Sequence, residues 1–348
     1  MSHAQIARRV VVFGLGGTIA MSAGPSRSVV PSLTVEELLA AVPGLDASDF
    51  DLEYVDFRQV PGASLTFSDI ADLAKEIVER GAEVDGMVVT QGTDTVEETA
   101  YLLDLLHSGA QPIVLTGAMR NPTLAGADGP ANLLGAIRTA ASLGARNRGC
   151  LVVFNDEIHA ARRVRKTHTA SVATFQSPDG GPLGYLVEGR PRFLNRIEDR
   201  VVVPVAPRDE HRVLLYTIAL GDDGAVLDDM ANHIDGLVIA ALGAGHVPAR
   251  MVPTLERVAD RMPVVLTSRT GAGSVLENTY GFPGSETDLI ARGLIPAGYL
   301  NSVKSRLLTA ALLATGCDHA TIRTAFGVAG GTTPIEHWPW PSDSSKDS

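Results

Sequence analysis

Cysteine is nearly absent: the 348 residues hold two, Cys150 and Cys317, far apart and each flanked by apolar sequence. That excludes a disulfide framework and predicts two buried thiols in a reducing compartment. Basic charge is scarce, with 29 Lys and Arg against 40 Asp and Glu and a formal charge of −11. The densest basic run, Arg162, Arg163, Arg165 and Lys166, is too short to set the field of the whole molecule. Nucleic acid and anionic membrane are therefore excluded as expected partners. Long apolar runs are missing too, and none approaches the roughly 18–20 residues of a membrane span. Arg8-Arg9 before an apolar stretch, and Ala20 to Ala23 as a small-residue cleavage site, imitate a secretory leader. The continuous apolar run there is only Val10 to Phe13, which suits a buried strand instead. The expectation is a soluble, cytoplasmic protein.

Several catalytic signatures are also lacking. There is no Gly-x-Ser-x-Gly elbow and no His-Glu-x-x-His, so the common serine and zinc hydrolases find no foothold. Gly14-Leu15-Gly16-Gly17-Thr18-Ile19-Ala20 follows a strand, as a dinucleotide site would. However, Pro25 and Pro31 keep the next segment from being helical, and no acidic residue ends a second strand at the required distance. No Walker lysine follows, so the loop is not a P-loop.

What is present is an alternation of strands and helices. Val10–Phe13 predicts a strand. Thr34 with Glu37 predicts a capping box, and Val35, Leu38, Leu39 and Val42 the apolar stripe of the helix it opens. Leu52–Phe57 reads as a strand, and 67–80 as a helix with Ile70, Leu73, Ile77 and Val78 on one face. Met87–Thr90 is a strand followed by a helix to His107 that Thr95 and Glu98 are expected to cap. Further strands are expected at Pro112–Leu115 and Leu151–Phe154, with Asp128-Gly129-Pro130 opening a helix between them. A stretch rich in Arg, Pro and Gly, about 187–211, breaks the pattern. Beyond it, strands are expected at 213–219, 237–241 and 263–267, and helices near 250–260, 286–292 and 302–315. The fold class predicted is α/β: a larger N-terminal doubly wound, mostly parallel sheet domain and a smaller C-terminal α/β domain. The boundaries are 1–200 for the catalytic domain, 201–211 for a linker, 212–340 for the second domain and 341–348 for a disordered tail.

In such sheets ligands sit beyond the C-terminal strand ends, where both Gly-Thr turns, 16–18 and 92–95, fall. Either turn by itself reads as a strand-turning device. Together with Lys166 they supply two hydroxyls, a carboxylate and an amine, an acyl-transfer set. A threonine hydroxyl needs a neighbouring base. A lysine serves when burial and nearby positive charge favour its neutral form, and Arg162, Arg163 and Arg165 are expected neighbours of that kind.

From about residue 10 to 316 the chain resembles the bacterial-type L-asparaginases. The resemblance is carried by Gly-Gly-Thr-Ile-Ala (16–20), Gly-Thr-Asp-Thr (92–95), Glu-Glu-Thr-Ala-Tyr (97–101), Gly-Ala-Met-Arg (117–120) and Ala-Asp-Gly-Pro (127–130). Asn-Asp (155–156), Lys-Thr (166–167), Ala-Thr-Phe (173–175) and Gly-Pro-Leu-Gly-Tyr (181–185) follow in the family's order. It implies hydrolysis of L-asparagine to L-aspartate and ammonia, with no metal or organic cofactor. Thr18 would be the nucleophile, and Thr93, Asp94 and Lys166 a second group around the scissile amide. The Thr93 amide would help hold the oxyanion, the Ala118 carbonyl would take the leaving amide, and Asp94 would also hold the α-amino group. Ser64 would bind the α-carboxylate. Glu277 would reach a neighbouring chain's site in a dimer or dimer of dimers, a homotetramer. The chain departs from the family pattern at Leu15, at Gln91 where the family has histidine, and at Gly243-Ala244-Gly245-His246. Residues 19–31, expected to form a lid, lack the family's tyrosine, so the resemblance names no activator for Thr18. Two other readings remain open: a glutaminase-asparaginase or other small-amide hydrolase, and a catalytically silent protein that binds an amino acid.

Overall fold

Strand β1 (Arg8–Gly14) shows how one apolar run feeds two cores. Successive side chains of a strand point to opposite faces. Val10 and Val12 join one buried cluster, and Val11 and Phe13 join another. The computed structural model describes residues 7–17, 19, 21–23, 29–31, 34–45, 49–197 and 199–340. Thr18 and the tail 341–348 lie outside the described residues, as do Ser26 and Ser28 of the expected lid. The chain falls into two compact units, Met1–Arg200 and Val201–Ser348.

In the first unit β1 is followed by a short antiparallel pair, β2 (Met21–Ala23) and β3 (Val29–Pro31), and then by α1 (Val35–Ala40). The capping box of Thr34 and Glu37 is present. Next come β4 (Phe50–Asp56), α2 (Phe67–Gly81), β5 (Gly86–Thr90), α3 (Val96–Leu106), β6 (Ile113–Thr116), α4 (Gly129–Ala140) and β7 (Cys150–Phe154). Five short strands close the unit: β8 (Glu157–Ala160), β9 (Arg165–Lys166), β10 (Phe175–Gln176), β11 (Gly184–Val187) and β12 (Arg190–Phe193). The main sheet runs β12-β11-β8-β7-β6-β5-β1-β4. Its five strands from β4 to β7 are parallel, and β8, β11 and β12 extend it antiparallel.

Helices cover both faces, as a doubly wound sheet requires. Leu38 and Leu39 of α1 and Leu133, Ala136 and Ile137 of α4 join the core of Val10 and Val12. Ile70, Leu73 and Ile77 of α2 and Val96, Leu102 and Leu103 of α3 join that of Val11 and Phe13. The topology fixes where a ligand can enter. From β1 the chain passes to β4 on one side and then to β5 on the other. The loops after β1 and β5 lead to helices on opposite faces, and a crevice opens at their strand ends.

The second unit has a parallel sheet, β13 (Val213–Thr217), β14 (Gly236–Ala241), β15 (Val264–Ser268) and β16 (Ile295–Pro296), in that order. Its helices are α5 (Ala225–Met230), α6 (Val252–Ala259), α7 (Glu286–Ala291), α8 (Ser302–Ala314) and α9 (His319–Ala329). The last three are capped by the side chains of Ser285, Asn301 and Asp318.

Four expectations are corrected. Val78 is 63% exposed rather than part of the α2 stripe. Thr95 makes no side-chain cap on α3; its hydroxyl donates to the Gly62 carbonyl at 2.9 Å. The Arg- and Pro-rich stretch is not all connection, since Arg190–Phe193 pairs with β11 as the sheet's edge. Cys150 is buried, but Cys317 is only half-buried, and both are free thiols. Within 201–211, Val201 and Val203 are buried and the Val202 carbonyl accepts from Trp338 Nε1 at 2.9 Å.

Candidate active site

Three glycines let the strand-end loops touch backbone to backbone. Gly17, at φ +87°, would place a Cβ 2.1 Å from the Gly92 nitrogen, and a Cβ on Gly62 would lie 2.8 Å from the Gly92 oxygen. No side chain fits between these segments. The loop after β1 is further pinned by Leu15 N donating to Thr90 O and Val60 N donating to Leu15 O. Ile19 is buried, and the Gly129 Cα at the start of α4 faces its side chain.

At the end of β5, Thr93–Thr95 form a single 3-10 turn that runs into α3. Thr93 is buried and Asp94 is exposed. Lys166 Nζ donates to Thr93 Oγ1 at 2.9 Å and to Asp94 Oδ1 at 3.1 Å. These three residues, 72 and 73 positions apart in sequence, are brought together by tertiary structure. Lys166 is held by its strand pairing with Phe175, whose ring stacks on Phe154 at 4.2 Å. The arginines expected beside the lysine are engaged elsewhere in part. Arg163 donates to the Asp179 carbonyl at 2.8 Å. Burial lowers the Arg162 pKa, with the Asp104 carboxylate opposing that shift and Arg163 adding to it. Among the described residues, the charged group in contact with Lys166 is the Asp94 carboxylate.

Ala118 is buried just beyond β6. The Asp128 carboxylate accepts from the amides of Met119 and Arg120 and from Asn132 Nδ2, which also donates to the Gly117 carbonyl. In a trans peptide the C=O and N–H point oppositely, so tying down the Met119 amide turns the Ala118 carbonyl away from Asp128. Ser64 ends the turn Gly62–Ser64; its amide donates to Pro61 O and its side chain is exposed. A cavity of about 330 Å³ lies beside the crevice, lined by residues that include Gly14, Gly16, Asp56, Gln59 and Thr90. None of Thr93, Asp94, Lys166 or Ser64 lines it. It is therefore not the centre of the chemistry.

Glu277, in the second unit, is half-exposed, and its carbonyl accepts from Thr287 Oγ1 at 3.2 Å. The ordered carboxylate of that segment is Glu286, which sequence reasoning passed over. It is fully buried, accepts from the amides of Thr279 and Tyr280 at 3.0 and 2.7 Å, and lies 3.1 Å from His246 Nε2. Burial pushes its pKa up, but those amides and His246 prevail and hold the carboxyl below its ordinary value. His246 also meets Tyr280 and Phe282 edge-on at 4.8 and 5.0 Å. The signals that would have found this cluster are the Ser285 cap, with its acidic first turn, and the aromatic pair before it.

The family model "Asparaginase, N-terminal" matches residues 9–198, and "Glutaminase/Asparaginase C-terminal domain" matches 212–326. A probable L-asparaginase of Deinococcus radiodurans is 36% identical over 323 residues, covering 91% of this chain and 97% of its own. L-asparaginase 2 of Escherichia coli is 35% identical over 333 residues, covering 91% and 92%. The crystal structure of a probable cytoplasmic L-asparaginase from Campylobacter jejuni superposes with a TM-score of 0.81 at 32% identity, covering 92% of this chain and 99% of that one. With both family models and near full-length relatives above 30% identity, the chain belongs to the asparaginase family.

Proposed function

We propose that this chain is an L-asparaginase that hydrolyses the side-chain amide of L-asparagine through an acyl-enzyme on Thr18. The observation that carries the reading is Lys166 Nζ in contact with both Thr93 Oγ1 and Asp94 Oδ1, at the strand end whose Gly92 abuts Gly17. Thr18, next in the chain after Gly17, attacks the amide carbonyl. The C–N bond breaks, ammonia leaves carrying the threonine proton, and water then cleaves the ester to release L-aspartate and restore Thr18. Lys166 and Thr93 move protons in both halves, since a hydroxyl is a weak nucleophile until a base draws its proton away. The developing oxyanion meets the Thr93 amide at the N-terminus of α3, where unpaired N–H groups and the helix dipole favour negative charge.

Asp94 pairs with the α-amino group and Ser64 with the α-carboxylate, while the Ala118 carbonyl receives the leaving amide. The exposure of Asp94 and Ser64 suits groups that meet a ligand rather than the core. In this reading residues 1–200 carry the chemistry, 201–211 link to the smaller domain of 212–340, and Glu277 completes a neighbouring chain's site in a dimer of dimers. Among the described residues no helix is long and apolar enough to cross a membrane, and we place the enzyme in the cytoplasm. A coupled ammonia assay with L-asparagine, L-glutamine and simple amides tests the reading by ranking kcat/KM. Asparagine first supports it; glutamine first makes the chain a glutaminase-asparaginase. Stoichiometric asparagine binding without ammonia makes it a silent binder.

A further inference from the structure

Gln91 lies just beyond β5 with its side chain fully buried, yet its carboxamide is not fully satisfied. Nε2 donates to the Gly92 carbonyl and to Thr95 Oγ1, each at 3.3 Å. Among the described residues, Oε1 has no hydrogen-bond partner. An unmet buried acceptor is costly, and an apolar side chain of the same length would avoid the cost. The two donated bonds are what distinguish glutamine from such a replacement here.

Each bond acts on a different part of the site. The Gly92 carbonyl and the Thr93 amide share one planar trans peptide, so they point in opposite directions. Holding the carbonyl toward Gln91 aims the Thr93 N–H away from it, toward the side where an oxyanion would be received. The second bond begins a relay. Thr95 Oγ1 accepts from Gln91 and donates to the Gly62 carbonyl at 2.9 Å, which fixes the Gly62–Ser64 turn against Gly92.

We infer that Gln91 is a positioning residue whose two amide hydrogens orient the Thr93 oxyanion donor and, through Thr95, the substrate-binding turn at Gly62–Ser64. The inference rests on the acyl-transfer reading given under Proposed function. It divides kinetically. Misaiming an oxyanion donor acts on the transition state and lowers kcat, whereas loosening a ground-state contact raises KM.

The test uses the full-length protein with Gln91→Met, Gln91→Glu, Thr95→Val and Thr95→Ser, assayed for ammonia release from L-asparagine. Gln91→Met should lose about tenfold to a hundredfold in kcat, somewhat less than outright loss of an oxyanion donor, with a thermal midpoint no lower than wild type. Thr95→Val should raise KM several-fold with kcat largely kept, and Thr95→Ser, which keeps the hydroxyl, should restore KM. The isosteric Gln91→Glu keeps the assay decisive if the methionine variant does not fold. Its carboxylate has no hydrogen to donate and faces two oxygens, so its kcat/KM should climb as pH falls and the carboxyl is protonated, whereas wild type shows no such climb. Wild-type kcat in Gln91→Met, or a Gln91→Glu pH profile parallel to wild type, overturns the inference. Wild-type protein that releases no ammonia overturns the parent reading as well, so the two failures are distinguishable.

Discussion

Replacing Lys166 by methionine keeps a stem of similar length and removes only the ammonium. Two contacts go with it, the 2.9 Å bond to Thr93 Oγ1 and the 3.1 Å pair with Asp94. They differ in weight. The Asp94 side chain is 66% exposed, so water screens the pair and its loss costs at most about 1 kcal/mol. Thr93 is 6% exposed, and leaving its hydroxyl without that partner costs about 1–3 kcal/mol. The fold should therefore survive, with a thermal midpoint a few degrees lower. The kinetic effect should be far larger. General acid–base assistance is worth about 10²- to 10⁴-fold, and it acts in the transition state, so kcat should fall by that factor while KM changes little. Steady-state ammonia release, with calorimetry on the same preparations, measures both quantities. A methionine variant with kcat within twofold of wild type refutes the role given to Lys166.

Gly17→Ala should abolish activity and destabilise the protein by several kcal/mol, because its Cβ would sit 2.1 Å from the Gly92 nitrogen at φ +87°; a midpoint unchanged in calorimetry would contradict the loop contact. Burial penalises the imidazolium of His159 and drops its pKa from 6.5 to about 4. As pH falls below 6.5 the unfolded chain takes up a proton that the fold refuses, so about 3 kcal/mol of stability present at neutral pH is lost toward pH 4. Glu157 Oε2 lies 3.3 Å from His159 Nε2 and is raised by burial, which works in the opposite direction. His159→Gln isolates the histidine: urea unfolding from pH 4 to 7 should lose that part of its slope, and identical slopes would refute the assignment. Mixing Thr18→Ala with Glu277→Ala after dissociation and reassembly should restore part of the activity, because some shared sites then carry both wild-type residues. Persistent inactivity, or an active monomer at assay dilution, sinks the shared site.

What the sequence made legible follows from periodicity and local chemistry. Four of the five parallel strands of the first unit, β1, β5, β6 and β7, stand out because they are buried and read as apolar runs, whereas β4 has no buried residue and is legible from its alternation instead. The start of α1 is visible because Thr34 and Glu37 form their box within four residues. Strands β8 to β12 are two to four residues long, too short to show a period, and the edge strand hid among Arg and Pro. Helix α5 starts after a left-handed Gly224 without a side-chain cap, so no start signal marks it. Thr95 shows a different limit. Its pattern with Glu98 satisfies the capping rule, but the tertiary bond to Gly62 takes the hydroxyl instead. At the site, Thr93, Asp94 and Lys166 are legible as acyl-transfer groups, but no local pattern brings the lysine to partners more than 70 residues away, and the family resemblance supplies that pairing. The Glu286–His246 contact spans 40 residues of sequence, and the Ser285 cap and the aromatic pair mark only its glutamate side.

The proposed reaction depends on Thr18 as the residue that carries the acyl group. It is tested most directly by the kcat of purified Thr18→Ala for L-asparagine beside wild type, with L-aspartate binding measured on both proteins. Turnover should fall by at least about 10⁴-fold while L-aspartate still binds. A variant that keeps a tenth of wild-type kcat would contradict it.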